Sequence, residues 1–157
     1  YAILVPLVML IVISQGKVES RYNFPGKELA TAVTRLWHDS FESKLELVGG
    51  GWMAPDSIAF HSRDHPSVLQ HLSHQWSPWV SETDVRDHGI AIVCLADDKL
   101  CLTNANTMFP DFKFRTLTIK GNDYGLSHSR TQGFRYFLVP PRTTNIQLDN
   151  VLHTPRR

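Results

Sequence analysis

The chain has almost no charge imbalance: sixteen Lys and Arg stand against fifteen Asp and Glu, with no basic run. That balance argues against nucleic acid as a partner, because a phosphate backbone selects for positive excess. Cysteine is scarce too. Two residues, Cys94 and Cys101, exclude a disulfide scaffold; either they pair in an oxidising compartment, or Cys94 is a small hydrophobe inside a buried strand. The usual catalytic signatures are also missing. There is no G-x-S-x-G, no H-E-x-x-H, no phosphate-loop lysine and no recognisable cysteine–histidine arrangement. No catalytic residue, metal or cofactor is expected from these residues.

What is present suits a folded domain. At 157 residues, 42% apolar and 20% charged, the chain matches one globular unit with neither repeats nor low-complexity tracts. Ala2 to Ile13 (AILVPLVMLIVI) is wholly apolar but shorter than the roughly 20 residues a membrane-spanning helix requires. It reads as the end of such a helix, residues 1–14, with a signal-peptide core or a buried element as rival readings. A polar connector, 15–23, a soluble domain, 24–141, and a polar tail, 142–157, complete the expected organisation.

Within the domain, Leu29, Ala32, Val33, Leu36 and Trp37 fall on one helical stripe. Leu45 to Val48 reads as a short strand ending in three glycines, Pro55 to Phe60 as a short helix, and Val68 to Leu72 as a second strand. Ser81 and Asp84 have capping-box spacing, with Gly89 as the helix stop. Ile90 to Ala96 is apolar without alternation, as a central strand covered on both faces should be. Asp97-Asp98-Lys99 follows as a turn. Phe112 to Lys120 and Phe134 to Val139 read as an antiparallel pair across a loop rich in Gly, Asn and Ser. The apolar phase changes between Phe114 and Leu117, predicting a bulge near Thr116, and Pro140 and Pro141 end the second strand. The fold expected is an α/β layered sandwich with a mixed, partly parallel sheet and a terminal antiparallel strand pair.

Several residue groups are candidate sites. Val48 to Pro55 (VGGGWMAP) is a strand–turn–helix junction, and Gly49, Gly50, Gly51 and Trp52 present backbone N–H groups to a small anionic or sugar ligand. The spacing departs from a dinucleotide fingerprint, since Ala54 takes the third glycine's place. The plain alternative is a tight turn packed under Trp52. Trp76, Pro78 and Trp79 are expected to pack at a helix entrance, with Trp76 and Trp79 as a sugar-stacking surface in the second reading. His61, His65, His71 and His74 with Asp64 are dense in potential metal ligands, but their spacing fits no zinc pattern, so surface histidines are the default. Asp97 and Asp98 supply too few oxygens for a divalent cation.

The order of local patterns has a family counterpart. Tyr22 to Ala30 (YNFPGKELA) leads into Leu36-Trp37-His38. Leu47 to Ala54 (LVGGGWMA) is followed by Ile58 to Ser62 (IAFHS), Arg63 to Val68 (RDHPSV), and Ser77 to Val80 (SPWV) before the capped helix. Across roughly Tyr1 to Ala96 the chain resembles the C-terminal extracytoplasmic region of bacterial integral-membrane glycosyltransferases similar to glycosyltransferase family 39, the protein-mannosyltransferase-like group. The resemblance implies a parent enzyme of many membrane spans in the bacterial inner membrane, using a polyprenyl-phosphate-linked sugar on the periplasmic side. Its catalytic loop lies upstream, so this segment inherits no catalytic role. The partners implied are membrane lipid around the N-terminal helix, the transmembrane part of the same protein, and a lipid-linked sugar or glycan acceptor.

Overall fold

The computed structural model describes residues 24–121 and 131–142. The expectations for the apolar run, the connector, most of the Gly/Asn/Ser-rich loop and nearly all of the polar tail lie outside those residues. Among the described residues no helix is long and apolar enough to cross a membrane.

Helix α1 (Gly26–Ser40) buries the predicted stripe, with Leu29, Val33 and Trp37 inaccessible to solvent. Strand β1 (Leu47–Gly50) leads to helix α2 (Ala54–His61), and strand β2 (Ser67–Gln70) precedes helix α3 (Glu82–His88). Strand β3 (Ile90–Leu95), helix α4 (Lys99–Met108), strand β4 (Arg115–Lys120) and strand β5 (Thr131–Val139) follow. The strands form one sheet in the order β2-β1-β3-β5-β4. β1 is parallel to both β2 and β3, while β5 runs antiparallel to β3 and β4. The protein is thus an α/β layered sandwich with a mixed sheet and a terminal antiparallel pair, as its sequence predicts.

β3 is the middle strand, and its side chains divide between two cores. Ala91 and Val93 pack with Val48, Phe134 and Tyr136 against α1 and α2. Ile90, Ile92 and Cys94 pack with Leu47, Leu69 and Phe137 against α4 and the segment entering α3. Two-sided burial is why this strand lacks polar alternation.

Some details differ from the sequence reading. β1 extends through Gly49 and Gly50, which pair with both Leu69–Gln70 and Ile92–Val93. A Cβ on Gly50 would strike the Val93 carbonyl oxygen, and of the three glycines only Gly51 belongs to the turn after the strand. β2 ends at Gln70, because His71 and Leu72 adopt left-handed backbone angles (φ 52° and 56°). No bulge interrupts β4: Arg115 to Lys120 pair in unbroken register with Tyr136 to Thr131. The apparent phase change arises because Phe112 and Phe114 precede the strand and pack on one core, whereas Leu117 and Ile119 face the other.

Helix α4 was not apparent from the sequence. Its segment is rich in Thr and Asn, poor helix formers, and it buries only Cys101 and Ala105. Two local devices hold it instead. Asp98 caps its N-terminus by accepting from the Cys101 N–H at 3.0 Å. A disulfide joins Cys94 in β3 to Cys101, with 5.8 Å between their Cα atoms. Cys94 is buried in the strand as well as bonded, so both sequence readings of that residue hold together.

α3 carries both halves of the capping box. The Asp84 N–H donates to Ser81 Oγ at 3.1 Å, and Asp84 Oδ2 accepts from the Ser81 N–H at 2.8 Å and hydroxyl at 2.7 Å. The Ser81 hydroxyl, then the Ser81 N–H, hold the Asp84 carboxyl below the usual aspartate range.

Candidate functional site: an aromatic ledge at the switch point of the sheet

From β1 the chain passes out to β2 and then returns to β3 on the opposite side of β1. The C-terminal ends of β1 and β3 therefore flank the point where strand order reverses, the usual location of ligand crevices in open α/β sheets. Gly51 to Met53 leave β1 there, His71 and Leu72 leave β2 beside them, and Ala96 to Asp98 leave β3.

Three rings meet at this edge. The Trp52 indole stacks on the His71 imidazole, with centroids 5.4 Å apart and planes 29° from parallel. Trp76 meets the same imidazole edge-on at 5.9 Å. Both indoles face solvent, Trp52 at 55% and Trp76 at 65% exposure, and Trp79 is exposed at 65% outside these ring pairs. Trp52 is therefore not buried over the glycine turn. Nor do Trp76 and Trp79 pack at the helix entrance: the buried Ser77 and Val80 do so. The Ser77 hydroxyl accepts from the Gln70 N–H at 2.8 Å. That bond ties the Trp76 turn to the end of β2.

The backbone here is costly to maintain. Of the described non-glycine residues with positive φ, Met53, His71 and Leu72 all lie on this edge, and only His65 lies elsewhere. Such conformations cost about 1–3 kcal/mol each and concentrate at functional sites.

The glycine turn has an unexpected occupant. A Cβ on Gly51 would collide with Asp98 Oδ2, so the carboxylate lies directly against the Gly51 backbone. Asp98 Oδ1 is engaged with the Cys101 N–H, which leaves Oδ2 as the acceptor facing the turn. An acidic side chain thus lies against the backbone of the glycine turn. This disfavours an anion and suits a ligand with hydroxyl donors.

The structure joins Trp52 to Trp76 and keeps Trp79 apart. Gly49, with Leu72 and Ile92 close against it, belongs to the packing of the sheet, and Gly51 shapes the notch beside Asp98. The predicted histidine group disperses. His71 joins the ledge, and His74 Nδ1 lies 2.7 Å from the Val80 carbonyl oxygen. Asp64 accepts from the Leu45 N–H at 2.8 Å and lies 2.8 Å from His38 Nε2. Among the described residues no three His, Cys, Asp or Glu side chains converge as metal ligands. Sequence reasoning missed His71 as the ring linking the two indoles, because the neighbouring turns are joined by strand pairing rather than local spacing. Asp98 did carry a signal, as an Asp directly before a partly apolar helical segment.

These features define an α/β domain with an exposed aromatic ledge and a carboxylate notch at its switch point. No protein-family model matches the chain, and no curated protein or solved structure matches it significantly.

Proposed function

We propose that the domain is a non-catalytic sugar-binding module: the extracytoplasmic accessory domain of a membrane glycosyltransferase, engaging glycan on the acceptor side. The Trp52–His71–Trp76 ledge beside Asp98 carries this reading. A pyranose presents a face of positively polarised C–H groups that matches the negative face of an indole. Its hydroxyls match a carboxylate acceptor. The Cys94–Cys101 bond favours an oxidising compartment, and the resemblance of the Tyr1 to Ala96 patterns to glycosyltransferase family 39 is the ground for proposing the parent enzyme and the periplasmic setting.

Titration of the 157-residue chain with mannotriose and maltotriose, followed by indole fluorescence, tests the binding. Saturable binding should weaken about tenfold in Trp52→Ala and in Trp76→Ala, near 1.4 kcal/mol each, and stay unchanged in Trp79→Ala. Asp98→Asn preserves the helix cap and should also weaken binding, whereas a phosphorylated sugar should bind less well than its neutral parent. Equal binding by Trp52→Ala, Trp76→Ala and the native chain would remove the sugar-binding reading. The parent enzyme is tested separately: coding sequence upstream of Tyr1 without several membrane-spanning segments would end that part.

A further inference from the structure

A cavity of about 640 Å³ opens beneath α3, and none of Trp52, His71 and Trp76 lines it. Its apolar walls include Val85 of α3, Met108 at the end of α4, and Phe109 and Phe112 beyond it. The volume falls in the roughly 300–1,000 Å³ range of small-molecule sites. The wall is preorganised, since Phe112 stacks on the buried Phe137 at 5.6 Å and Phe109 meets that ring at 5.7 Å. The roof is different: α3 contributes no buried residue, so the cavity lies between a fixed aromatic wall and a lightly held helix.

The rim is charged. The Arg142 backbone N–H donates to the Arg86 carbonyl at 3.2 Å, and both residues border the cavity; the Arg86 guanidinium also lies 3.4 Å from Thr83 Oγ1. Among the described residues neither forms an ion pair with a carboxylate. Glu82 shares the rim without pairing with either, leaving one positive charge in excess by formal count. His74 also borders the opening.

We propose that this cavity binds a single-chain amphiphile with an anionic head. The chain lies along Val85, Met108, Phe109 and Phe112, and the head meets the guanidiniums of Arg86 and Arg142. An apolar chain removes water from the aromatic wall, and the head balances the rim's one excess positive charge. The site is independent of the sugar ledge.

Methyl NMR on the 157-residue chain with labelled methionine tests this, using decanoate below its micelle concentration, decan-1-ol and acetate as probes. Met108 reports the cavity, Met53 the ledge and Met9 the apolar N-terminal run. Decanoate should move Met108 saturably and leave Met53 unchanged. Decanol should bind at least fivefold more weakly, and acetate should not bind. Arg86→Gln and Arg142→Gln should each weaken decanoate about tenfold without changing decanol, and Val85→Trp should fill the space and abolish binding. An unmoved Met108, a shift confined to Met9, equal affinity for decanol, or unchanged binding by both arginine variants would overturn the proposal.

Discussion

The two faces of the sheet are closed by different means. On one face α1 and α2 bury Leu29, Val33, Trp37 and Ile58 completely against β1, β3 and β5. On the other face α4 buries two residues and α3 none. That side relies on the Cys94–Cys101 bond, the Asp98 cap and the Ser81–Asp84 box, and it contains the open cavity. Burial suffices where an amphipathic helix lies flat on a sheet. Where the covering segments are short and polar, covalent and capping devices supplement it, and a cavity is left beneath α3.

The sharpest way to break this contrast is to remove the anchor of the first face. Trp37 is fully buried, packs on Phe41 with ring centroids 4.6 Å apart and donates its indole N–H to the Ser43 carbonyl at 2.9 Å. Trp37→Ala should cost about 4 kcal/mol, read as a fall in the urea midpoint. A loss below about 1 kcal/mol would mean that this face is not held by burial.

Cutting the staple on the second face should cost less. Chain-entropy reasoning gives about 2.5 kcal/mol for so short a loop, so Cys94→Ala with Cys101→Ala should lower stability by roughly that amount. Hydrogen exchange should accelerate first in α4 while α1 stays protected, because α4 has little burial of its own. Uniform acceleration through both helices would instead make the two faces one cooperative unit.

The same contrast explains what the sequence could reveal. α1 was legible because Leu29, Val33 and Trp37 repeat at helical spacing, and β3 because burial on both faces demands an unbroken apolar run. The capping box was legible because its hydrogen bonds depend on residues three apart. α4 was obscure because Thr103, Asn104, Asn106 and Thr107 have weak helical preference, and the disulfide that holds it depends on where β3 places Cys94. The ledge was half visible. Trp52 and Trp76 stood out as candidates, but the parallel pairing of β1 with β2 brings His71 between them, and pairing of this kind leaves no local pattern.

The mildest test concerns α3 alone. Because Asp84 has a folded-state pKa below its unfolded value of about 3.9, its contribution is fully present above about pH 4. It is lost as pH falls through the lower, folded value. Protection of the Asp84 and Val85 amides against hydrogen exchange should therefore hold at pH 6 and decline only below about pH 4, while protection in α1 declines less. Ser81→Ala removes the hydroxyl chiefly responsible for the shift, so the residual decline should be smaller and should move up toward the ordinary aspartate range. If the native chain and Ser81→Ala lose α3 protection along the same pH curve, the capping box does not hold this helix. The roof of the second face must then rest on Val80 and Val85 packing, as the first face rests on Trp37.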